Sequence, residues 1–146
     1  MRIALVGTVI STQVALEGII ENGVKPQVVV TLDPTLRTRH SDYVDLAWLT
    51  SKNGIETLYV KNINDQEVVE KLEKLNLDYI FVIGWSQILR PEVLRIARFG
   101  VIGYHPALLP NFRGRGVIPW TIIQGLSHTG GTLFFIDEGL DSGDII

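Results

Sequence analysis

The chain has no cysteine in its 146 residues. That excludes disulfides, thiolate zinc sites and cysteine nucleophiles together. It has no surplus of positive charge either: 13 Lys and Arg against 16 Asp and Glu leave a formal net charge of −3. A non-specific nucleic-acid binder needs a positive face to displace counterions, so DNA is not an expected partner. There is no apolar run long enough to span a membrane. The apolar start at residues 1–7 lacks the length and small-residue cleavage site of a signal peptide, so a cytoplasmic location is expected. No two of the three histidines stand at metal-ligand spacing, and no metal is expected. Neither G-x-G-x-x-G nor G-x-x-x-x-G-K-[ST] occurs, which leaves dinucleotide recognition with little support. Repeats, low-complexity segments and interdomain linkers are absent as well.

What is present is an alternation of strand-like and helix-like runs. Residues 2–7, 27–32, 56–60, 79–84, 100–105 and 132–136 are short and rich in β-branched or aromatic residues. Between them lie helical patterns at 12–22, capped by Ser11 or Thr12; from Ser41 to Asn53; from Asn64 or Asp65; from Pro91; and at 118–125. Residues 33–40 read as a polar, basic loop, and 143–146 as the opening of a strand, so the chain is expected to be one domain cut short at its C-terminus. The alternation predicts an α/β, Rossmann-like three-layer fold with a mainly parallel sheet. In such folds ligands bind outside the carboxyl ends of the strands. Residues 7–12, 33–40, 84–89 and 105–116 reach that edge, and the loop after 136 does so only if it folds back.

The last strand residue before the stiff, proline-bearing segment 106–116 is His105. Such a mount holds an imidazole in one place, where it can take and return a proton near neutral pH. The alternative is a buried ring satisfied by backbone groups. Asp137, Glu138, Asp141 and Asp144 crowd into eight residues. They are either a solvated loop or, given Gly139 and Gly143, a tight turn aiming one carboxylate at His105. Thr8, Ser11 and Thr12 mark a helix start suited to an anion or merely to capping. Arg37 with Arg39, or Arg113 with Arg115, can clamp a phosphate or carboxylate, or be simply solvated. Trp85 and Trp120 read as core or pocket wall.

His105-Pro106-Ala107-Leu108-Leu109-Pro110, Arg113-Gly114, Thr129-Gly130-Gly131-Thr132 and the run from Gly139 to Ile146 are ordered motifs. Together they resemble the formyltransferase family, which includes glycinamide ribonucleotide, methionyl-tRNA and sugar N-formyltransferases. The resemblance implies a domain that binds N10-formyltetrahydrofolate and passes its formyl group to a primary amine without a metal. It places the catalytic histidine on His105 and the catalytic aspartate on Asp141. The folate pocket falls on Trp85, Ser86, Gln87, Ile88 and Leu89 and on Asp137, Glu138, Gly139 and Leu140. Where the family pattern has asparagine two residues before the histidine, this chain has Gly103. An unreplaced oxyanion donor costs about 10²–10³ in rate, and Asn111 is the candidate replacement. For the acceptor, an amino sugar or other small amine is favoured, its phosphates meeting Arg37, Arg39 and Arg115, and the negative charge disfavours transfer RNA. The sequence is compatible with a homodimer. The alternatives are a folate-binding module without turnover and, ranked lower, a nicotinamide-dependent oxidoreductase.

Overall fold

The computed structural model describes the backbone of residues 1–146 and every side chain except that of Arg39. The β-branched runs form strands β1 (Ile3–Val6), β2 (Val28–Leu32), β3 (Glu56–Val60), β4 (Tyr79–Val82), β5 (Val101–His105) and β6 (Thr132–Phe135). They make one sheet in the order β3-β2-β1-β4-β5-β6. The first five strands run parallel and β6 runs antiparallel to β5. Alternate side chains of the central strands enter two separate cores, as strand geometry requires. On one face Leu5 and Val29 pack with Leu16 of α1 (Ile10–Glu21) and Leu49 of α2 (Ala47–Lys52). On the other, Ala4, Val6, Val30, Ile80 and Val82 pack with Val68 and Leu72 of α3 (Gln66–Glu73) and Val93 of α4 (Pro91–Leu94). Helix α5 (Val117–Ile123) buries only Val117, and its Ile118, Trp120, Ile122 and Ile123 stay exposed.

Three local expectations are corrected. Helix α1 starts at Ile10 with Val9 as its N-cap, so Ser11 does not cap it and Thr12 serves from the third helical position. The Thr12 hydroxyl lies inside the first turn, where it accepts from the Val9 amide at 3.2 Å and donates to the Ile83 carbonyl at 2.6 Å. Helix α2 begins at Ala47 and not at Ser41. Residues 41–46 instead form a turn and then a strap, in which Tyr43 bridges to Val9 and the Val44 amide donates to the Thr8 carbonyl. Leu46 is the N-cap of α2, and the Asp45 carboxylate just before it accepts from the Ala47 amide at 3.0 Å. The loop at 33–40 contains a 3₁₀ turn, Pro34–Arg39, opened by Asp33, whose carboxylate accepts from the Thr35 amide and hydroxyl. Among the described residues no helix is long and apolar enough to cross a membrane.

Candidate active site

The registration of β5 on β6 puts His105 opposite Thr132, at the carboxyl end of the parallel strands. The Thr132 hydroxyl donates to the Ala107 carbonyl at 2.6 Å and accepts from the Leu109 amide at 3.1 Å, tying the outgoing loop to β6. The chain then turns back over the ring, and the Phe112 carbonyl comes to 2.6 Å from His105 Nε2. Phe112 adopts φ +54 to do so, a backbone conformation rare for a bulky residue. His105 itself is buried, with 7% of its surface exposed.

Because β6 is antiparallel, its far end points away from this edge, and the acidic loop after it must return. It folds back. Gly143 lies flush against the strand, where a Cβ would sit 1.8 Å from the Phe135 carbonyl oxygen. Asp137 is spent inside the turn, accepting from the Gly139 amide and the Ser142 hydroxyl. Asp141, at φ +47, is aimed inward. Its Oδ2 accepts from the Gly114 amide at 2.7 Å and lies 3.7 Å from His105 Nδ1. Thus the ring has a carbonyl oxygen at one nitrogen and a carboxylate oxygen near the other.

The crevice between β1 and β4, where the strand order reverses, is the usual ligand position in doubly wound sheets. Here it is stitched shut. The Thr8 amide donates to the Gly84 carbonyl, and Thr12 bonds to Ile83. A Cβ on Gly7 would meet the Ile83 carbonyl oxygen at 2.0 Å, and one on Gly84 the Val9 side chain at 2.2 Å. The glycines of this turn thus serve close packing among protein atoms, which gives the oxidoreductase alternative no support. Thr8 and Thr12 are fully buried, Thr8 bonded to Thr31, while Ser11 is exposed.

The remaining expected residues fall into three groups. In segment 85–89, Gln87 ties the loop down, accepting from the Ile63 amide and donating to the Lys61 carbonyl. Leu89 is core, Ser86 stands 3.3 Å from His40, and Ile88 is exposed. Trp85 is half-buried, with an indole N–H that is buried without a partner among the described residues. Asn111, Arg113 and Arg115 are exposed on the loop beside His105, as are Glu138, Gly139 and Leu140 on the acidic loop. Arg37 is exposed on the 3₁₀ turn, and the side chain of Arg39 lies outside the described residues. Gly103 is buried opposite Phe134, and a Cβ there would lie 2.9 Å from both Phe134 Cε1 and Ile136 Cγ1. Among the described residues no three His, Asp or Glu side chains cluster as metal ligands do.

Sequence reasoning missed the backbone half of the arrangement. The Phe112 carbonyl and the Gly114 amide carry no side-chain signature, though the glycine is itself a hint of special backbone geometry. Tyr43 was also missed. Its hydroxyl is buried without a partner among the described residues, and burial, then the charge of Asp45, pushes its ionisation above the usual tyrosine range.

The whole chain, residues 1–146, matches the family described as formyl transferase. It is 36% identical over its full length to the methionyl-tRNA formyltransferase of Agathobacter rectalis and 37% identical to that of Clostridium acetobutylicum, covering 48% of each. The chain thus spans about half the length of these relatives. Among solved structures it resembles phosphoribosylglycinamide formyltransferase from Bacillus halodurans, with a TM-score of 0.82, 22% identity, and coverage of 100% of this chain and 77% of that one. At that identity the likeness is one of fold. The relatives overturn the expectation that disfavours transfer RNA. That expectation rested on a net charge summed over 146 residues, and a sum neither locates a binding face nor speaks for the other half of a longer relative.

Proposed function

Because the chain belongs to the formyl transferase family, we propose that it moves a formyl group from N10-formyltetrahydrofolate to a primary amine, with His105 and Asp141 as the proton-handling pair. The observation that carries this reading is the approach of Asp141 Oδ2 to His105 Nδ1, 3.7 Å across a fold-back that spans 36 residues of chain. A neutral amine attacks the formyl carbon, the imidazole accepts the proton the amine must lose, and the carboxylate stabilises the imidazolium so formed. The donor's ring has a suitable neighbour in Trp85, whose buried indole N–H lacks an acceptor among the described residues, and Ile88 is exposed three residues on in the same loop. The acceptor is the amine of an aminoacyl-tRNA, in keeping with the names of the relatives matched over the whole chain.

A second reading is favoured by Gly103. Phe134 and Ile136 fill the space a side chain at this position would need, so an amide cannot enter without displacing them. The domain then binds the donor without transferring its formyl group. A transfer assay separates the two. The chain is incubated with N10-formyltetrahydrofolate and methionyl-tRNA, and both formyl-methionine and released tetrahydrofolate are measured. Equal amounts of the two products support transfer. Donor binding by calorimetry with no formyl product on this or any other amine supports the module and ends the enzyme reading.

A further inference from the structure

The two contacts to the His105 ring are unequal. At Nε2 a carbonyl oxygen sits at 2.6 Å, and the ring itself is buried. A carbonyl only accepts, so an unprotonated Nε2 would press one lone pair against another in a buried site, whereas an N–H there makes a strong hydrogen bond. Nε2 therefore holds a proton whether the ring is neutral or charged, and the neutral ring keeps its lone pair on Nδ1. At Nδ1 stands Asp141 Oδ2, at 3.7 Å. That is beyond an ordinary hydrogen bond, and the same oxygen is already engaged by the Gly114 amide at 2.7 Å.

The backbone is strained to achieve this. Phe112 is held at φ +54 between the Leu108–Asn111 turn, closed by the Asn111 amide on the Leu108 carbonyl, and Gly114 at φ +90. A strained conformation persists only where its surroundings over-determine it, and such residues concentrate at functional sites. The Phe112 side chain is 40% exposed. What the strain delivers to the site is the position of the carbonyl.

We infer that Phe112 is a positioning residue acting through its main-chain carbonyl, which fixes the neutral His105 ring in the Nε2–H tautomer and makes Nδ1 the nitrogen that exchanges the reaction's proton. This rests on the proposed transfer reaction for its meaning, but not for its test. In the step it describes, the amine nitrogen forms a bond to the formyl carbon and the carbonyl pair moves onto oxygen. The amine proton passes to Nδ1, leaving Nε2–H on Phe112 and the new Nδ1–H facing Asp141. When the oxygen pair re-forms the carbonyl, the bond from carbon to N10 breaks and N10 takes the proton from Nδ1. Formyl and proton change places, and nothing is oxidised or reduced.

The tautomer is read directly by long-range proton–nitrogen NMR on the whole chain with labelled histidine, the His105 signals being assigned as those lost in His105→Gln. The expected result, for the neutral ring, is that Nε2 shows a protonated nitrogen shift and Nδ1 the unprotonated value. A proton resident on Nδ1, or the averaged shifts of freely exchanging tautomers, overturns the inference. Two variants test the cause. Phe112→Gly tolerates positive φ and should keep the tautomer, whereas Phe112→Pro, locked near φ −65, should lose it and lower kcat with KM unchanged. If Phe112→Pro folds and retains the Nε2–H form, the carbonyl has no such role. If it does not fold, the wild-type and Phe112→Gly spectra decide. An active transferase with the Nδ1–H tautomer defeats this inference and leaves the transfer reading standing; the reverse result separates them equally well.

Discussion

Two places along one sheet edge were open to a ligand, the crevice between β1 and β4 and the rim beyond β5, and the fold treats them oppositely. The first is filled by hydroxyls bonded to their neighbours, Thr12 to the Ile83 carbonyl and Thr8 to Thr31, under a strap anchored by Val44 and Tyr43. At the second, main-chain groups serve side chains that can ionise: the Phe112 carbonyl meets His105, and the Gly114 amide meets Asp141. The same inventory of threonine, glycine and backbone polar groups thus produces a structural seam in one place and, in the other, the imidazole–carboxylate pair to which we assign the proton handling. Polar residues at a strand end are not a site until something leaves one of them unsatisfied and reachable. At this rim that is His105 Nδ1, 3.7 Å from the Asp141 carboxylate.

This contrast breaks most sharply at His105. Replacing it with alanine should lower formyl transfer by about 10²–10⁴ while leaving donor affinity nearly unchanged, as steady-state kinetics and calorimetry together would show. Asp141→Asn comes next. The amide oxygen can still accept from Gly114, but the charge is gone, and turnover should fall about 10²-fold, toward the lower end of what a positioned acid–base group supplies. On the seam side the sign of the effect changes from rate to stability. Thr12→Val leaves the Val9 amide and the Ile83 carbonyl buried and unpaired, which should cost about 1–3 kcal/mol in urea unfolding with turnover per folded molecule intact. A loss of rate without a loss of stability in that variant would mean the crevice is a site after all.

The smallest effect is alkaline. The Tyr59 hydroxyl donates to Asp45 at the foot of the strap, and burial, that bond and the Asp45 charge push its ionisation up to about 12. A raised folded-state value contributes stability that is whole below the unfolded value near 10 and lost as pH climbs toward 12. Unfolding midpoints should therefore fall across that window, and Tyr59→Phe should flatten the fall.

The alternation of runs was enough to read the parallel sheet and its helices, because β-branched strands and amphipathic helices differ in period. His105 was legible as a mounted imidazole for the same kind of reason: prolines at 106 and 110 keep the loop beyond it out of regular structure. The helix expected from Ser41 was not, since the apolar pattern at 43, 44 and 46 serves a strap paired to Val9 and Thr8 as readily as a helix face. Nor was the antiparallel direction of β6 visible, and with it the need for the acidic loop to fold back before Asp141 meets the ring. Transfer RNA was misjudged because charge was counted along the chain and not located on it.

A crystal structure of the chain with a stable analogue of N10-formyltetrahydrofolate bears most directly on the contrast between crevice and rim. The account predicts the formyl-bearing nitrogen at the β5 rim, within about 3 Å of His105 Nδ1, and the Phe112 carbonyl still on Nε2. An analogue lodged in the β1–β4 crevice, or one that reaches the ring only after the Phe112 carbonyl has given way, would contradict it.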